Sequence, residues 1–387
     1  MRKLLYAIIL AFAIYFVITH GEELQLILDI LSKGDWRWML AAAGVQLLWL
    51  VNIAAAFQST YRLVGVRESL RRMIPLTTAA NFVNVVAPSY GAGALAVLIA
   101  DGQNRGKPAA KVSTAAVLYL VYDYLGFMVV LAVGLVVLVA RDALDTIIIA
   151  ASLFAISIGV SLVVLTFLGI QSAEKLGRAL VHLTRIANRI ARPFIHRDLI
   201  SHARAVSLGA DVSEGLKHIR RSPGRLLQPG ILALTRKLLM MLILFLVSMA
   251  FRYPFPLDTL VASFSTSYLF TIASVTPSGV GFVEGAMTVY TAALGVPLAT
   301  SAAISLAYRG LTFWLTLAYG LVAIRWVGYP PQEARDKRGP GRASAEPAPS
   351  LRSALVEGKP QFEAGSNPHP VTAEGEDSPV SPPDPGS

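Results

Sequence analysis

No cysteine occurs among the 387 residues, and charged residues make up only 15% of them. The first absence excludes disulfides, cysteine-ligated zinc, iron–sulfur clusters and thiol catalysis. It says nothing of compartment, since a membrane chain needs no disulfide to be stable. The second absence decides more. A soluble domain carries about 25% charged residues, so the polar coat that would keep this chain in water is missing. In its place stand 54% hydrophobic residues and a mean hydropathy of +0.57. Composition points to an integral membrane protein.

The charge that remains is unevenly placed. The chain carries +10, yet from Gly328 to Ser387 six Lys and Arg face nine Asp and Glu, which leaves +13 on everything before Gly328. A basic balance can signal nucleic acid. Here the basic residues lie in loops between apolar runs, where they report topology, and no nucleic-acid partner is expected.

Arg2-Lys3 precedes an apolar stretch from Leu4 to Ile18. It has the size of a signal-peptide core, but Thr19-His20-Gly21-Glu22-Glu23 offers no small-x-small cleavage site, so a retained transmembrane helix is expected. Further apolar runs cover Trp38–Phe57, Ile74–Ala100, Val112–Ala140, Thr146–Ile170, Ile231–Phe251, Leu257–Leu294 and Ala299–Ile324. A membrane-crossing helix needs about 20 such residues. Two runs are interrupted: one by Pro88-Ser89-Tyr90-Gly91-Ala92-Gly93, the other by Thr276-Pro277-Ser278-Gly279-Val280-Gly281. Proline removes a helix hydrogen bond and glycine admits positive φ. Unwound backbone at membrane depth is tolerated only inside protein or beside a wet cavity.

Loop charge then sets the topology. The segment 171–230 holds 11 Lys and Arg against four Asp and Glu, and a full crossing at Ile74–Ala100 would export it. A run that enters from the cytoplasm, turns at Pro88–Gly93 and returns keeps it inside, together with Arg62, Arg67, Arg71, Arg72, Arg105, Lys107 and Lys111. The expected fold is all-α: a polytopic membrane bundle of about six full spans plus two re-entrant broken-helix hairpins, with both termini cytoplasmic, in a cytoplasmic (inner) membrane. The hairpins enter from opposite sides as an inverted repeat. The interval from Pro88 to Pro108 equals that from Pro277 to Pro297, and each later helix presents a Tyr and a charge, Tyr122-Asp123 and Tyr308-Arg309. The intervals from the first proline to those Tyr-charge pairs are unequal, and Pro-Gly breaks can also arise independently.

The membrane domain is thus expected over residues 1–327. Within it, 171–230 reads as basic amphipathic helices on the anionic inner leaflet. Residues 328–387 hold 12 prolines and few large apolar side chains, the composition of a disordered cytoplasmic tail.

Signals of catalysis are weak. None of the six histidines falls inside a span, and Gly279-x-Gly281-x-x-x-Gly285 is not a dinucleotide fingerprint. No catalytic residue, metal site or cofactor is expected. Ionisable residues at membrane depth are the sharper clue, because burying a charge in lipid costs at least ~3 kcal/mol. Asp123 lies about 16 Å along its helix and Arg309 about 15 Å along its own, both near the midplane. Glu284 directly follows the second break. Asp123 and Arg309 read either as a structural salt bridge or, with Glu284, as a substrate or proton site. Asn81 and Asn84 could bind a headgroup or serve orphaned carbonyls. Arg236 and Lys237 read as cations near a helix end that snorkel to the interface.

Thr276-Pro277-Ser278-Gly279-Val280-Gly281-Phe282-Val283-Glu284-Gly285, followed by Tyr308-Arg309-Gly310 and Trp314, resembles the signature of the lysylphosphatidylglycerol synthase transmembrane (flippase-like) family. Ala87-Pro88-Ser89-Tyr90-Gly91-Ala92-Gly93 is similar to its earlier motif, with Ala92 separating the two glycines. The resemblance implies lipid translocation, of aminoacylated phosphatidylglycerol, hopanoid or polyprenyl-linked lipids. Founding members carry an aminoacyl-transferase domain after the membrane part. Only the Pro-rich tail follows here, so aminoacyl transfer is not expected of this chain alone. On this footing Glu284 would hold a proton or cationic headgroup, Arg309 a phosphate, and Asp123 would be the switchable partner of Arg309. A transferase acting on a lipid carrier, and a scaffold docking lipid-synthesis enzymes through 171–230, are the alternatives.

Overall fold

A computed structural model describes residues 29–86, 92–191, 209–216 (apart from Asp211 and Gly215), 223–274 and 279–327. The expected first helix at Leu4–Ile18, the prolines and first glycine of the breaks (Pro88, Gly91, Pro277) and the tail lie outside the described residues. So does much of 192–222. All the regular structure described is helical.

Each helix follows from the local sequence. Asp35 accepts a hydrogen bond from Arg37 N at 3.0 Å and starts α1, Trp36–Leu63. Asp145 does the same for Ile148 N at 2.8 Å and starts α5, Thr146–Gln171. Between these come α2 (Leu70–Val86), α3 (Ala92–Asn104) and α4 (Ala109–Ala140). After α5 follow α6 (Ala173–Ala191), α7 (Leu227–Ala250), α8 (Leu257–Ala273), α9 (Phe282–Ala293) and α10 (Leu298–Arg309). A π-helical turn, Gly310–Trp314, joins α10 to α11, Leu315–Val327. Among these, α1, α4, α5 and α7 are each long and apolar enough to cross a membrane alone.

The second interrupted run breaks at the described end of its motif, where Gly279 and Gly281 take positive φ, while the first motif up to Gly91 lies outside the described residues. The first run stops at Val86 and resumes at Ala92, the second stops at Ala273 and resumes at Phe282. The halves fold back on each other. Arg72, near the start of α2, binds Asp101 near the end of α3 at 2.7 Å. Ser263 of α8 accepts a hydrogen bond from Thr291 near the end of α9 at 3.0 Å. Gly93 and Gly285 were expected to form the breaks; they lie instead as the second residue of α3 and the fourth of α9. Their helices resume before them, because Ala92 and Phe282 already satisfy helical backbone geometry.

The two helix pairs open at opposite ends of α4. Beside its start, Glu68, Arg72, Asp101, Arg105 and Lys107 form one ion-pair network, in which Lys107 binds Glu68. Burial lowers the pKa of Lys107 there. Beyond its end, Arg141 binds Asp258 of α8, and Tyr290 of α9 donates to Asp145 at 2.7 Å.

Packing uses small residues to bring backbones together. α1 lies along α7, α2 against α11, and α8 against α4. A Cβ on Gly134 of α4 would come within 2.3 Å of Ser265 Oγ of α8, and one on Gly320 of α11 within 2.4 Å of Phe82 of α2. α5 buries only a stripe of Ile148, Ser152, Ala155 and Gly159 and, near its end, Gly169. Leu153, Phe154, Val160 and Phe167 on its other faces are more than half exposed. A continuous apolar face of that extent is stable only against lipid or a partner. The next helix, α6, carries Lys175, Arg178, His182, Arg185 and Arg189 in one exposed stripe, with Leu176 buried opposite.

Candidate functional site

The ionisable residues inside the bundle form two centres. The first grows from the second break. Gly279 and Gly281 have φ of +75° and +78°, values that turn the chain sharply into α9 and that a side chain would strain. Glu284 therefore falls in the first turn of α9, where its carboxylate complements the positive end of the helix. Its partner is Arg309, the last residue of α10: Nε donates to Oε1 at 2.7 Å. Both residues are buried, Glu284 8% and Arg309 9% exposed. The π turn then aims the Phe313 ring at the guanidinium, 5.1 Å from its centroid. Glu284 Oε2 is buried and has no protein hydrogen bond among the described residues.

The described flanks of the two interrupted runs approach each other at this centre. Val83 and Val85, just before the first break, pack in one cluster with Val280 of the second and with Phe313 and Trp314 of the π turn. Asn84, between those valines, buries a carbonyl oxygen that lacks a partner among the described residues. Asn81, one turn earlier on α2, is half-buried. Among the described residues, no hydrogen bond to an orphaned carbonyl is seen for either.

The second centre corrects the expected Asp123–Arg309 pair. Asp123 of α4 binds Arg236 and Lys237 of α7, the latter at 2.6 Å. Position along a helix is only one coordinate; the direction a side chain faces depends on which helix packs there. At Gly126 a Cβ would lie 3.1 Å from the Ala233 backbone, so α7 is the neighbour of this stretch of α4. Helical side chains point back toward the N-terminus, which carries Arg236 and Lys237 to Asp123. Arg236 is 5% exposed and Lys237 fully buried, so neither snorkels. Helix α7 begins at Leu227, earlier than its apolar run suggests, and that places both cations near its middle.

Two tyrosines that sequence reasoning missed complete this centre. Arg236 donates to the hydroxyl of Tyr119, and its guanidinium stands 4.8 Å from that ring's centroid. Lys237 donates to Tyr268 at 2.5 Å and lies 3.8 Å from its ring centroid. Tyr268 in turn donates to Asp123 Oδ2 at 3.3 Å. The available signal was the pair of cations in an apolar run facing only one carboxylate on a neighbouring span.

Residues 4–320 match a family profile described as the lysylphosphatidylglycerol synthase TM region. No curated protein and no solved structure matches the chain.

Proposed function

The chain belongs to the lysylphosphatidylglycerol synthase TM region family as a multi-pass membrane protein, and on that premise we propose that it moves a phospholipid between leaflets. The observation that carries this reading is the meeting of the flanks of both interrupted runs beside the buried Glu284–Arg309 pair. A broken helix presents free N–H groups and the positive end of its dipole, and Arg309 adds a planar donor fork. Such a place suits a headgroup phosphate while the acyl chains stay in lipid. The unpartnered Oε2 of Glu284 leaves an acceptor for a proton or a cationic headgroup. Aminoacylated phospholipids and polyprenyl-phosphate-linked lipids fall within this reading, a hopanoid without a phosphate does not, and no catalytic step is assigned.

An inverted repeat of two re-entrant hairpins accounts for the wider architecture. In its favour, each hairpin is followed by a positive-φ glycine and then a helix-starting proline, Gly106-x-Pro108 and Gly295-x-Pro297. The packing is reciprocal, since each hairpin's first helix lies on the helical stretch that follows the other hairpin. Tyr119 stands as far beyond Pro108 as Tyr308 beyond Pro297, so Tyr119 replaces Tyr122 as the counterpart of Tyr308. Basic loops around Arg72 and Arg105 then face the cytoplasm with both termini, in an inner membrane. The basic stripe of α6 rests on anionic lipid of that leaflet.

The test is reconstitution of the full chain into vesicles carrying headgroup-labelled phosphatidylglycerol, with an impermeant quencher outside. Wild-type protein should expose inner-leaflet label, and the Glu284→Gln, Arg309→Gln double variant should fold yet fail to do so. A double variant as active as wild type removes the transport assignment and favours a scaffold. Turnover of a lipid-linked donor by the purified protein would favour a transferase.

A further inference from the structure

The second centre has a charge imbalance that no atom of the described residues resolves. One carboxylate, Asp123, faces two cations, and the cations are the more buried members: the side chains of Lys237 and Arg236 are 1% and 6% exposed, that of Asp123 18%. An unbalanced positive charge inside a membrane bundle is costly unless something anionic joins it or the lysine gives up its proton. The aromatic faces of Tyr119 and Tyr268 soften that charge without neutralising it.

Donors are also in surplus. A guanidinium offers five N–H groups and an ammonium three. Arg236 engages Tyr119 and Asp123, and Lys237 engages Tyr268 and Asp123. The remaining donors of both, and the Tyr119 O–H, have no protein acceptor among the described residues. These donors come from α4 and α7 at one depth, as oxyanion binding requires.

We infer that Asp123, Arg236, Lys237, Tyr119 and Tyr268 form an anion site within the bundle that takes a phosphate group, with Asp123 as the counter-charge the phosphate competes against. The site is separate from the Glu284–Arg309 centre. The lipid-translocation reading enters only in naming the source of the phosphate, a phospholipid headgroup; free inorganic phosphate has the same chemistry.

The full chain, purified in detergent, is tested by native mass spectrometry and thermal unfolding with dioleoylphosphatidylglycerol, dioleoylglycerol and inorganic phosphate as probes. Wild-type protein should retain phosphatidylglycerol and be stabilised by it, and dioleoylglycerol, with the same tails and no phosphate, should do neither. Lys237→Met leaves a balanced Asp123–Arg236 pair and should fold, yet bind phosphatidylglycerol about tenfold more weakly. Asp123→Asn removes the competitor and should bind it more tightly, so that the lipid restores more thermal stability than in wild type. Unchanged affinity in Lys237→Met means that the lysine carries no charge for an anion, and overturns the site. So does Asp123→Asn binding no tighter than wild type. Stabilisation by inorganic phosphate alone, lost in Lys237→Met, keeps the anion site and overturns its lipid source. Translocation is measured separately: transport with unchanged retention in these variants removes the site and leaves the transport reading, and the converse removes transport and leaves the site.

Discussion

Glu284–Arg309 and Asp123–Arg236–Lys237 are both buried charge centres, built in opposite ways. Among the described residues the first pairs one carboxylate with one guanidinium and sits at irregular backbone, between two positive-φ glycines and a π turn. The second is unbalanced and sits on the regular stretches of α4 and α7, held by close helix approach at Gly126. The difference teaches where each centre keeps its adaptability. At the break, backbone groups can reorganise around that pair. Between straight helices the backbone is fixed, and only an added or removed charge changes the state.

The comparison breaks most visibly on removal of the acids. In detergent free of anionic lipid, Asp123→Asn strands two buried cations and should destabilise the fold by about 3–5 kcal/mol. Glu284→Gln takes the carboxylate from one cation that keeps the Phe313 ring beside it, and the expected loss is smaller, about 2 kcal/mol. Thermal unfolding of the two variants side by side gives the order. If Glu284→Gln proves the more damaging, the charge count does not govern these centres. Adding Arg309→Gln to Glu284→Gln should recover most of the loss, because both charges then leave together.

A second pair of changes tests the supports. Gly126→Val pushes α4 off the Ala233 backbone, 3.1 Å from where a Cβ would lie, at a cost of about 1–3 kcal/mol. It should disturb phosphatidylglycerol retention at the Asp123 centre. Gly279→Ala strains a φ of +75° and brings a Cβ 2.4 Å from Val283, at a cost of about 1–2 kcal/mol. It should lower transport without changing that retention. Crossed effects would mean that the centres are mechanically one.

The same contrast explains what the sequence disclosed. The second break was legible because Gly acts through local backbone rules, and the positive φ of Gly279 and Gly281 before Phe282 follows from them. That Asp123 and Arg309 lie well inside long helical stretches was legible because helical rise is constant. Partners were not, since a partner depends on helix azimuth and crossing, which Gly126 and Ala233 set jointly from distant points in the chain. Arg236 and Lys237 were misread for a related reason: the apolar run begins at Ile231, while the helix begins at Leu227. Tyr119 and Tyr268 look like ordinary aromatic residues of a span until the cations beside them are placed.

The smallest change is the most discriminating for the unbalanced centre. Tyr268 accepts from Lys237 and donates to Asp123, so its hydroxyl relays charge between them. Tyr268→Phe keeps the ring, the cation–π contact and the packing against Phe127, 4.6 Å between centroids, and removes only that relay. The stability loss should be about 1 kcal/mol, the value of a hydrogen bond. Lys237 then has one more donor without a partner, so phosphatidylglycerol retention should hold or rise while thermal stability falls slightly. A purely structural network predicts both falling together, as every lost hydrogen bond would loosen the same scaffold. Retention measured by native mass spectrometry beside a melting curve of the same sample separates the two, and a parallel fall would reduce the Asp123 centre to a structural clamp between α4, α7 and α8.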